Sequence, residues 1–355
     1  MVDRPDPRKL SPRDREVLRQ VVATYILSAE PVSSRSVAKQ ADLGLSAATI
    51  RNVMADLEDW GFLAQPHTSA GRVPTRDAYH LFIESLMEVR RVPAWQRRYI
   101  EDHLSGAPGD AEQIMGAASH LLSELSHQVG VVVTPSLAET VLKSVELVPL
   151  SGRKVLCVLV SSAGFTDTKV IEVPEVVPRE ELIRIASYLT ENFAGVSIRE
   201  ARDRLLRMLA EERAQMDRQL ALAIEFAKHA LALPGDPGIL VDGASELLAH
   251  PELADISRAR RMFDTFADKT RMVSILSRCL QGGGVRVWIG EDTDLTSELD
   301  FSLVATTYGF GERPLGALGI LGPSRMEYEK VIPLVDYLGE ALSRALAETF
   351  AGRTE

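Results

Sequence analysis

Arg51 and Asn52 place two forked hydrogen-bonding side chains next to each other in the sequence. Arginine can pair in bidentate fashion with guanine, and asparagine can do the same with adenine. Both residues fall near the start of a predicted helix, which is the part of a recognition helix that contacts base edges. We therefore predict a DNA-facing surface that also contains Ser46, Ala48 and Thr49.

A second group of polar residues follows in a turn-forming loop and is suited to contacts with the DNA backbone. His67, Thr68, Ser69 and Arg72 each carry a group that can bind a phosphate or enter the minor groove. Arg35, on the element before the predicted recognition helix, adds a further positive charge. Two alternatives stay open here: His67 is an exposed loop histidine without a function, and Arg72 has a structural role inside the hairpin.

One helix must position the base-reading pair. Ser46 is a good N-cap, and Gly61 follows the last periodic residue as a C-terminal glycine does. Apolar residues at helical spacing predict the buried face: Ile50, Val53, Met54 and Leu57. The opposite face is small and polar, which also fits the alternative of a solvated helix face in any small domain.

The flanking elements favour the DNA-binding interpretation, because their order is that of a winged helix-turn-helix. Helix start and stop signals surround the central helix on both sides. The predicted order is a helix from Ser11 to Ala29, a short helix capped by Ser33 or Ser34, the central helix, paired strands over 62–65 and 72–73, and a helix that Thr75 caps and that ends near Pro93.

Charge is distributed unevenly along the 355 residues. Residues 1–98 contain 15 Lys and Arg against 12 Asp and Glu, whereas the whole chain has a formal net charge of −10. DNA repels an acidic protein unless the positive charge is gathered in one place. The excess of +3 in residues 1–98 is small, so we expect tight binding to need two copies acting together.

Seven runs of the sequence are distinctive: Glu30–Arg35, Ser46–Met54, Pro66–Thr75, Asp242–Gly243, His250–Glu252, Ile289–Glu291 and Gly322–Tyr328. Together they closely resemble the HrcA family of bacterial heat-inducible transcription repressors. Ser33 and Ala78 depart from the family, which more often has glycine at both positions. The resemblance implies a homodimer that represses chaperone operons by binding an inverted-repeat operator in double-stranded DNA, with release on heat stress and a chaperonin as modulator.

The predicted fold class is α+β and multidomain: an N-terminal winged helix-turn-helix, a GAF-like α/β domain, and an α+β dimerisation domain inserted within it. The last two follow from resemblance. We predict a winged-helix domain over 1–98, a GAF-like domain over 99–140 and 236–355, and the insertion over 141–235. The start of the insertion is open, because the strands over 142–173 could instead belong to the GAF-like sheet.

The elements after residue 98 are predicted from periodicity and turn signals. Strands are expected over 131–133, 142–150, 155–160, 168–173, 285–289, 302–308 and 315–321, and helices over 110–128, 179–193, 197–207, 208–232, 244–249, 257–280 and 326–350. Two apolar helical stripes could form a partner surface or pack internally: Leu182, Ile185 and Leu189, and Leu220, Ile224 and Phe226.

The sequence lacks the common catalytic and metal-binding motifs. The seven histidines are scattered, and the sequence has no H-E-x-x-H, no nucleophile elbow and no phosphate loop. Glu291, Asp292 and Asp294 could form a cation cluster, although a solvated loop is favoured. The run 322–326 could bind an anion at a helix start, although a structural turn is favoured. We therefore expect no enzyme, no cofactor and no metal.

The two cysteines and the hydropathy profile bear on the compartment. Cys157 and Cys279 lack metal-ligand spacing and fit reduced core thiols. The sequence has no signal peptide and no apolar run of membrane-spanning length, so we expect a cytoplasmic protein that binds no membrane.

The favoured function is a sequence-specific repressor. The first alternative is a metabolite-responsive winged-helix repressor with a ligand pocket in the GAF-like domain. The second is an enzyme that its N-terminal domain merely tethers to DNA, which the absence of a catalytic pattern disfavours.

Overall fold

The structure is a computed structural model. It describes residues 10–40, 44–67, 70–88, 90–106, 111–135, 140–162, 165–173, 176–210, 238–246, 272–273, 275–276, 283–292, 301–310 and 313–351.

Three helices open the described chain and form the N-terminal core. They are α1 (Pro12–Ser28), α2 (Ser34–Gln40) and α3 (Ala47–Asp59). Ser11 caps α1 in a reciprocal box with Asp14, and Ala29 ends the helix in the left-handed conformation, with φ 55°. The Ser33 hydroxyl accepts a hydrogen bond from the Ser36 amide at 3.1 Å, so Ser33 rather than Ser34 caps α2. All three helices bury apolar residues in one core.

A small hairpin and two further helices follow. These elements are β1 (Leu63–Ala64), β2 (Val73–Pro74), α4 (Arg76–Leu81) with a π-helical continuation over Phe82–Leu86, and α5 (Ala94–Ser105). The sequence interpretation omitted α5, and the predicted domain boundary at residue 98 falls inside it. The helix that begins at Arg76 ends at Leu86, and an extended connection leads to α5.

The body is built on a five-stranded antiparallel sheet. Its strands are β3 (Val129–Val133), β7 (Ile239–Asp242), β8 (Arg286–Ile289), β9 (Phe301–Phe310) and β10 (Arg313–Pro323), in the order β7-β3-β10-β9-β8. Strand β7 was not predicted. It has four residues and directly follows a Pro/Gly-rich break, so its own sequence carries a weak signal.

Helices cover the five-stranded sheet on one face. These are α6 (Ala111–Ser126) and α9 (Tyr328–Ala351), and they share a continuous core with the N-terminal helices. Helical residues Met272 and Leu276 pack on the opposite face, against Phe301 and Leu303. Successive side chains of each strand therefore point alternately into two separate cores, one on each face of the sheet.

A second, three-stranded sheet stands apart from the first. It consists of β4 (Leu142–Pro149), β5 (Lys154–Ser161) and β6 (Thr166–Glu172), in that order, with α7 (Arg179–Phe193) and α8 (Ile198–Ala210). These strands do not join the five-stranded sheet, which was the open alternative. Together with α7 and α8 they enclose a core of their own.

The apolar stripe of α7 packs inside this smaller unit. Leu182, Ile185 and Leu189 are all buried against the strands, so the internal alternative is the correct one for them. Leu220, Ile224 and Phe226 lie outside the described residues, as do residues 211–232 of the predicted helix over 208–232, most of the one over 257–280 and the end of the one over 244–249. Residues 208–210 belong to α8.

Candidate nucleic-acid interface

Helix α3 has the cap and the buried face that the sequence predicts. Ser46 is extended, with φ −70° and ψ 151°, and its hydroxyl accepts a hydrogen bond from the Thr49 amide at 3.1 Å. Gly61 ends the helix with φ +81°, a conformation that glycine adopts without strain. The inward side chains are all buried: Ile50, Val53, Met54 and Leu57. Their burial fixes which side chains of α3 face outward.

The outward face of α3 presents the predicted base-reading pair. Ala48, Arg51 and Asn52 are exposed. Neither Arg51 nor Asn52 makes a hydrogen bond or ion pair with any residue that the structure describes. Thr49 is half-buried, and its hydroxyl lies 2.9 Å from that of Ser46. The arrangement therefore leaves two forked polar groups open to a ligand, whereas Ser46 serves the helix itself.

The hairpin after α3 forms a wing of three short segments. Leu63 pairs with Pro74 and Ala64 with Val73, as predicted for the paired strands. Val32 and Arg72 exchange backbone hydrogen bonds of 2.8 and 2.9 Å, which adds the residues before α2 as a third segment. A Cβ at Gly71 would lie 2.5 Å from the Val32 carbonyl oxygen, so only glycine permits this approach.

Arg72 does not point outward as a phosphate ligand would. Its Nε and terminal nitrogen lie 2.8 and 2.7 Å from the same carboxylate oxygen of Glu58, on α3. The Arg72 side chain is only 16% exposed, and that of Glu58 is 30% exposed. The geometry therefore favours the structural alternative, in which Arg72 fastens the wing to the recognition helix. The sequence could not indicate this pair, because its members lie on different elements.

Thr75 occupies the N-cap position of α4 but makes no capping hydrogen bond, contrary to the prediction. Its hydroxyl instead lies 2.7 Å from the Gly61 carbonyl oxygen and 3.0 Å from that of Phe62. The two carbonyls immediately before β1 lie within reach and accept this hydrogen bond. Thr75 thus holds the start of the wing rather than the start of α4.

The remaining predicted contact residues lie at the surface. His67, at the wing tip, is exposed, and its carbonyl accepts a hydrogen bond from the Ala70 amide at 2.9 Å. Arg35, on α2, is also exposed. Thr68 and Ser69 lie outside the described residues.

Contacts between the N-terminal unit and the body are features that the sequence interpretation missed. His80 Nε2 lies 2.8 Å from Asp292 Oδ2, and the rings of Tyr79 and Tyr328 meet edge to face at 6.0 Å. Asp292 also accepts a hydrogen bond from the Ile289 amide. It therefore links the two units. Asp294, another member of the cation cluster considered above, lies outside the described residues.

The described residues contain neither a metal-binding cluster nor a membrane-spanning helix. No three His, Cys, Asp or Glu side chains in these ranges are grouped so that they could hold a metal ion. None of the described helices is both long and apolar enough to span a bilayer.

Comparison with known proteins gives two family matches that together cover most of the chain. Residues 9–87 match the winged helix-turn-helix DNA-binding domain of the HrcA transcription repressors, and residues 112–332 match the HrcA C-terminal domain. A crystal structure of a hypothetical protein, 24% identical, has a similar fold, with a TM-score of 0.65 over 96% of this chain and 100% of that one.

Curated relatives agree over nearly the whole length. The heat-inducible transcription repressor HrcA of Geobacter sulfurreducens is 41% identical over 95% of this chain and 98% of its own. Those of Xanthomonas campestris and Xylella fastidiosa are 40% and 37% identical over 95% of this chain and 96% of their own. The chain therefore belongs to the HrcA family of heat-inducible, winged-helix transcription repressors.

Proposed function

We propose that the chain represses chaperone operons by binding an inverted-repeat operator as a homodimer, and that heat stress releases it. Arg51 and Asn52 carry this proposal: they are exposed, have no partner among the described residues, and lie on a helix whose opposite face is fully buried. Such a face fits the major groove and offers bidentate donors and acceptors to bases. Ala48 and Thr49 line the same surface.

The wing is proposed to contact the DNA backbone beside the recognition helix. His67 is exposed at its tip, and Thr68 and Ser69 follow in sequence. Arg35, exposed on α2, would add a phosphate contact. Arg72 and Ser46 are proposed to act indirectly, because one fastens the wing to α3 and the other caps that helix.

Dimerisation is proposed to use the smaller unit, which we delimit as residues 141–235 between the two parts of the GAF-like domain, 99–140 and 236–355. The winged-helix domain would end before α5, near Pro93, rather than at residue 98. Five of the large apolar residues that are exposed in the described chain lie in the smaller unit: Val148, Leu150, Val170, Val176 and Ile183.

The outer face of the three-stranded sheet is the proposed partner surface. Val148, Leu156 and Val170 oppose one another across the three strands and form an apolar row. Val148 is 43% exposed and Val170 is 59% exposed, whereas the inner face of the sheet is buried on α7. A second copy covering this row would remove apolar surface from water.

The operator proposal is tested by footprinting the intact chain on promoters of the chaperone operons in the organism that encodes it. The expected result is protection of two symmetric half-sites, with spacing set by the two-fold symmetry of a dimer. Uniform protection of unrelated DNA at the same concentration would contradict sequence-specific repression. Adding the chaperonin is expected to raise the fraction of bound operator.

The interface proposal is tested by sedimentation of Val170→Glu beside Val241→Glu. Val241 is also an exposed valine on a strand, but it lies in the five-stranded sheet, so it controls for the added charge. We expect Val170→Glu to lower the dimer fraction and Val241→Glu to leave it unchanged. An undiminished dimer in Val170→Glu would place the interface elsewhere.

The alternative, a metabolite-responsive repressor, is distinguished by one inexpensive observation: its thermal stability should rise when the small molecule that it binds is added. A ligand that binds the folded state raises the apparent thermal stability by an amount that grows with the logarithm of its concentration above the dissociation constant. Residues on both faces of the five-stranded sheet are packed into cores, so a ligand of the GAF-like domain would need space at the margin of that domain.

A further inference from the structure

A cavity of about 590 Å³ lies where the winged helix meets the body. Its walls come from the end of α1, the connection before α5, the turn between α6 and β3, and the turn between β10 and α9. Pockets for small molecules commonly measure roughly 300–1,000 Å³, so its size fits one organic ligand. No function assigned above uses this space.

The walls of the cavity carry an excess of positive charge. Arg90, Arg91, Arg325 and Lys330 line it, against two carboxylates, those of Glu327 and Glu329. The carboxylates are engaged locally, because Glu329 lies 3.1 Å from Arg90 and Glu327 pairs with Lys330. Arg91 makes no ion pair or hydrogen bond with any residue in the described ranges. Its charge is therefore available to an anion.

Gln128 lines the same wall and contains an unsatisfied polar atom, its side-chain oxygen, which faces the backbone of Gly322. The residue is 8% exposed, it lines the cavity, and its side-chain oxygen is buried without a hydrogen-bond partner among the described residues. A buried amide without a partner is costly, so such a group in a folded protein calls for an explanation. Rotation of the amide by half a turn can offer either a donor or an acceptor.

The rest of the lining is apolar. Ile26, Leu125, Met326 and Leu334 contribute side chains, and Leu27 lies at the margin with 75% of its surface exposed. A leucine this exposed beside a cavity favours an apolar occupant, because covering it removes apolar surface from water.

We propose that this cavity binds a small amphipathic anion, with its charged group beside Arg91 and Gln128 and its apolar body against Leu27 and Leu125. The ligand would touch α1 and the body together, so its binding couples the two units. The coupling to DNA, unlike the binding site, rests on the proposed function.

The binding site is tested by fluorescence titration of the intact chain with 1-anilinonaphthalene-8-sulfonate and with its uncharged analogue N-phenyl-1-naphthylamine. We expect one saturable site per chain that prefers the sulfonate by about tenfold, as one charged hydrogen-bonded contact gives. Arg91→Glu should abolish the preference, and Arg98→Glu should keep it. Arg98 carries the same charge change on the exposed surface of α5 and does not line the cavity.

Gln128→Leu separates the site from a folding defect. The leucine has a similar volume and removes the unsatisfied amide, so the variant should be at least as stable as the parent while its preference for the sulfonate falls. Equal affinity for the two dyes in the parent chain, or equal behaviour of Arg91→Glu and Arg98→Glu, would overturn the proposed site.

The coupling is measured as operator affinity with and without saturating sulfonate dye. We expect a change of at least about threefold in the parent chain, well above the resolution of a titration, and none in Arg91→Glu. An unchanged affinity in the parent would overturn the coupling. Absence of operator binding under both conditions would refute the proposed function instead, while the dye comparison would still decide the site.

Discussion

Replacing Arg72 by methionine distinguishes a structural role for this arginine from a phosphate contact. Methionine keeps most of the apolar stem and removes the guanidinium, so the change isolates the contacts with Glu58. The two contacts measure 2.8 and 2.7 Å and end on one carboxylate oxygen. The substitution leaves that carboxylate without its partner.

The expected cost follows from the partial burial of the pair. An exposed ion pair contributes about 0–1 kcal/mol, and removal of one partner from a fully buried pair costs about 3–5 kcal/mol. With side chains 16% and 30% exposed, the Arg72–Glu58 pair lies between these limits. We expect Arg72→Met to lower the free energy of unfolding by about 2 kcal/mol.

The assay combines urea unfolding with DNA titrations at several salt concentrations. The double variant Arg72→Met/Glu58→Gln should cost less than the sum of the single changes, with a coupling of about 1 kcal/mol. The slope of log affinity against log salt should stay unchanged, because no phosphate contact is lost. Unaltered stability together with a slope reduced by about 1 would refute the structural role and restore the phosphate contact.

Three further predictions concern the cap of α3, the close approach of Gly71 in the wing, and the buried thiol of Cys157. Ser46→Ala should lower the free energy of unfolding by about 1 kcal/mol, because it removes the cap of α3; an unchanged urea midpoint would show that the cap contributes nothing. Gly71→Ala should lower the free energy of unfolding by about 1–3 kcal/mol and weaken binding to all DNA alike, because its methyl group would lie 2.5 Å from the Val32 carbonyl oxygen. An unchanged free energy of unfolding would show that the wing backbone moves to accommodate the methyl group. Burial raises the pKa of the Cys157 thiol to about 12. In a Cys279→Ser background, alkylation of Cys157 at pH 8 should therefore be at least about a hundredfold slower in the native chain than in the urea-unfolded chain. Comparable alkylation rates in the two states would contradict the burial of Cys157.

The recognition helix could be predicted from sequence because its determinants are local. Ser46, Gly61 and the apolar spacing of Ile50 to Leu57 all act within one helix, and each has its predicted role in the structure. The pairing of the wing strands could be predicted for the same reason, since a short loop joins them.

Contacts between distant elements could not be predicted in this way. The Arg72–Glu58 and His80–Asp292 pairs depend on how helices and strands pack, which neither periodicity nor capping encodes. Strand β7 has only four residues and gains its place from its pairing with β3. The separation of β4 to β6 into their own sheet is likewise a matter of long-range pairing, so the sequence left it open.

Base reading by Arg51 is tested most directly by comparing the parent chain with Arg51→Ala and Arg51→Lys on the footprinted operator and on a scrambled duplex. Lysine keeps the charge but lacks the planar fork, so it separates base reading from attraction to phosphate. If Arg51 reads a base, both variants lose about 1–3 kcal/mol of binding free energy on the operator and relax the preference at one position. Their affinity for the scrambled duplex should change little by comparison. Full operator affinity in Arg51→Lys, or an equal loss on both duplexes in Arg51→Ala, would contradict base reading by Arg51.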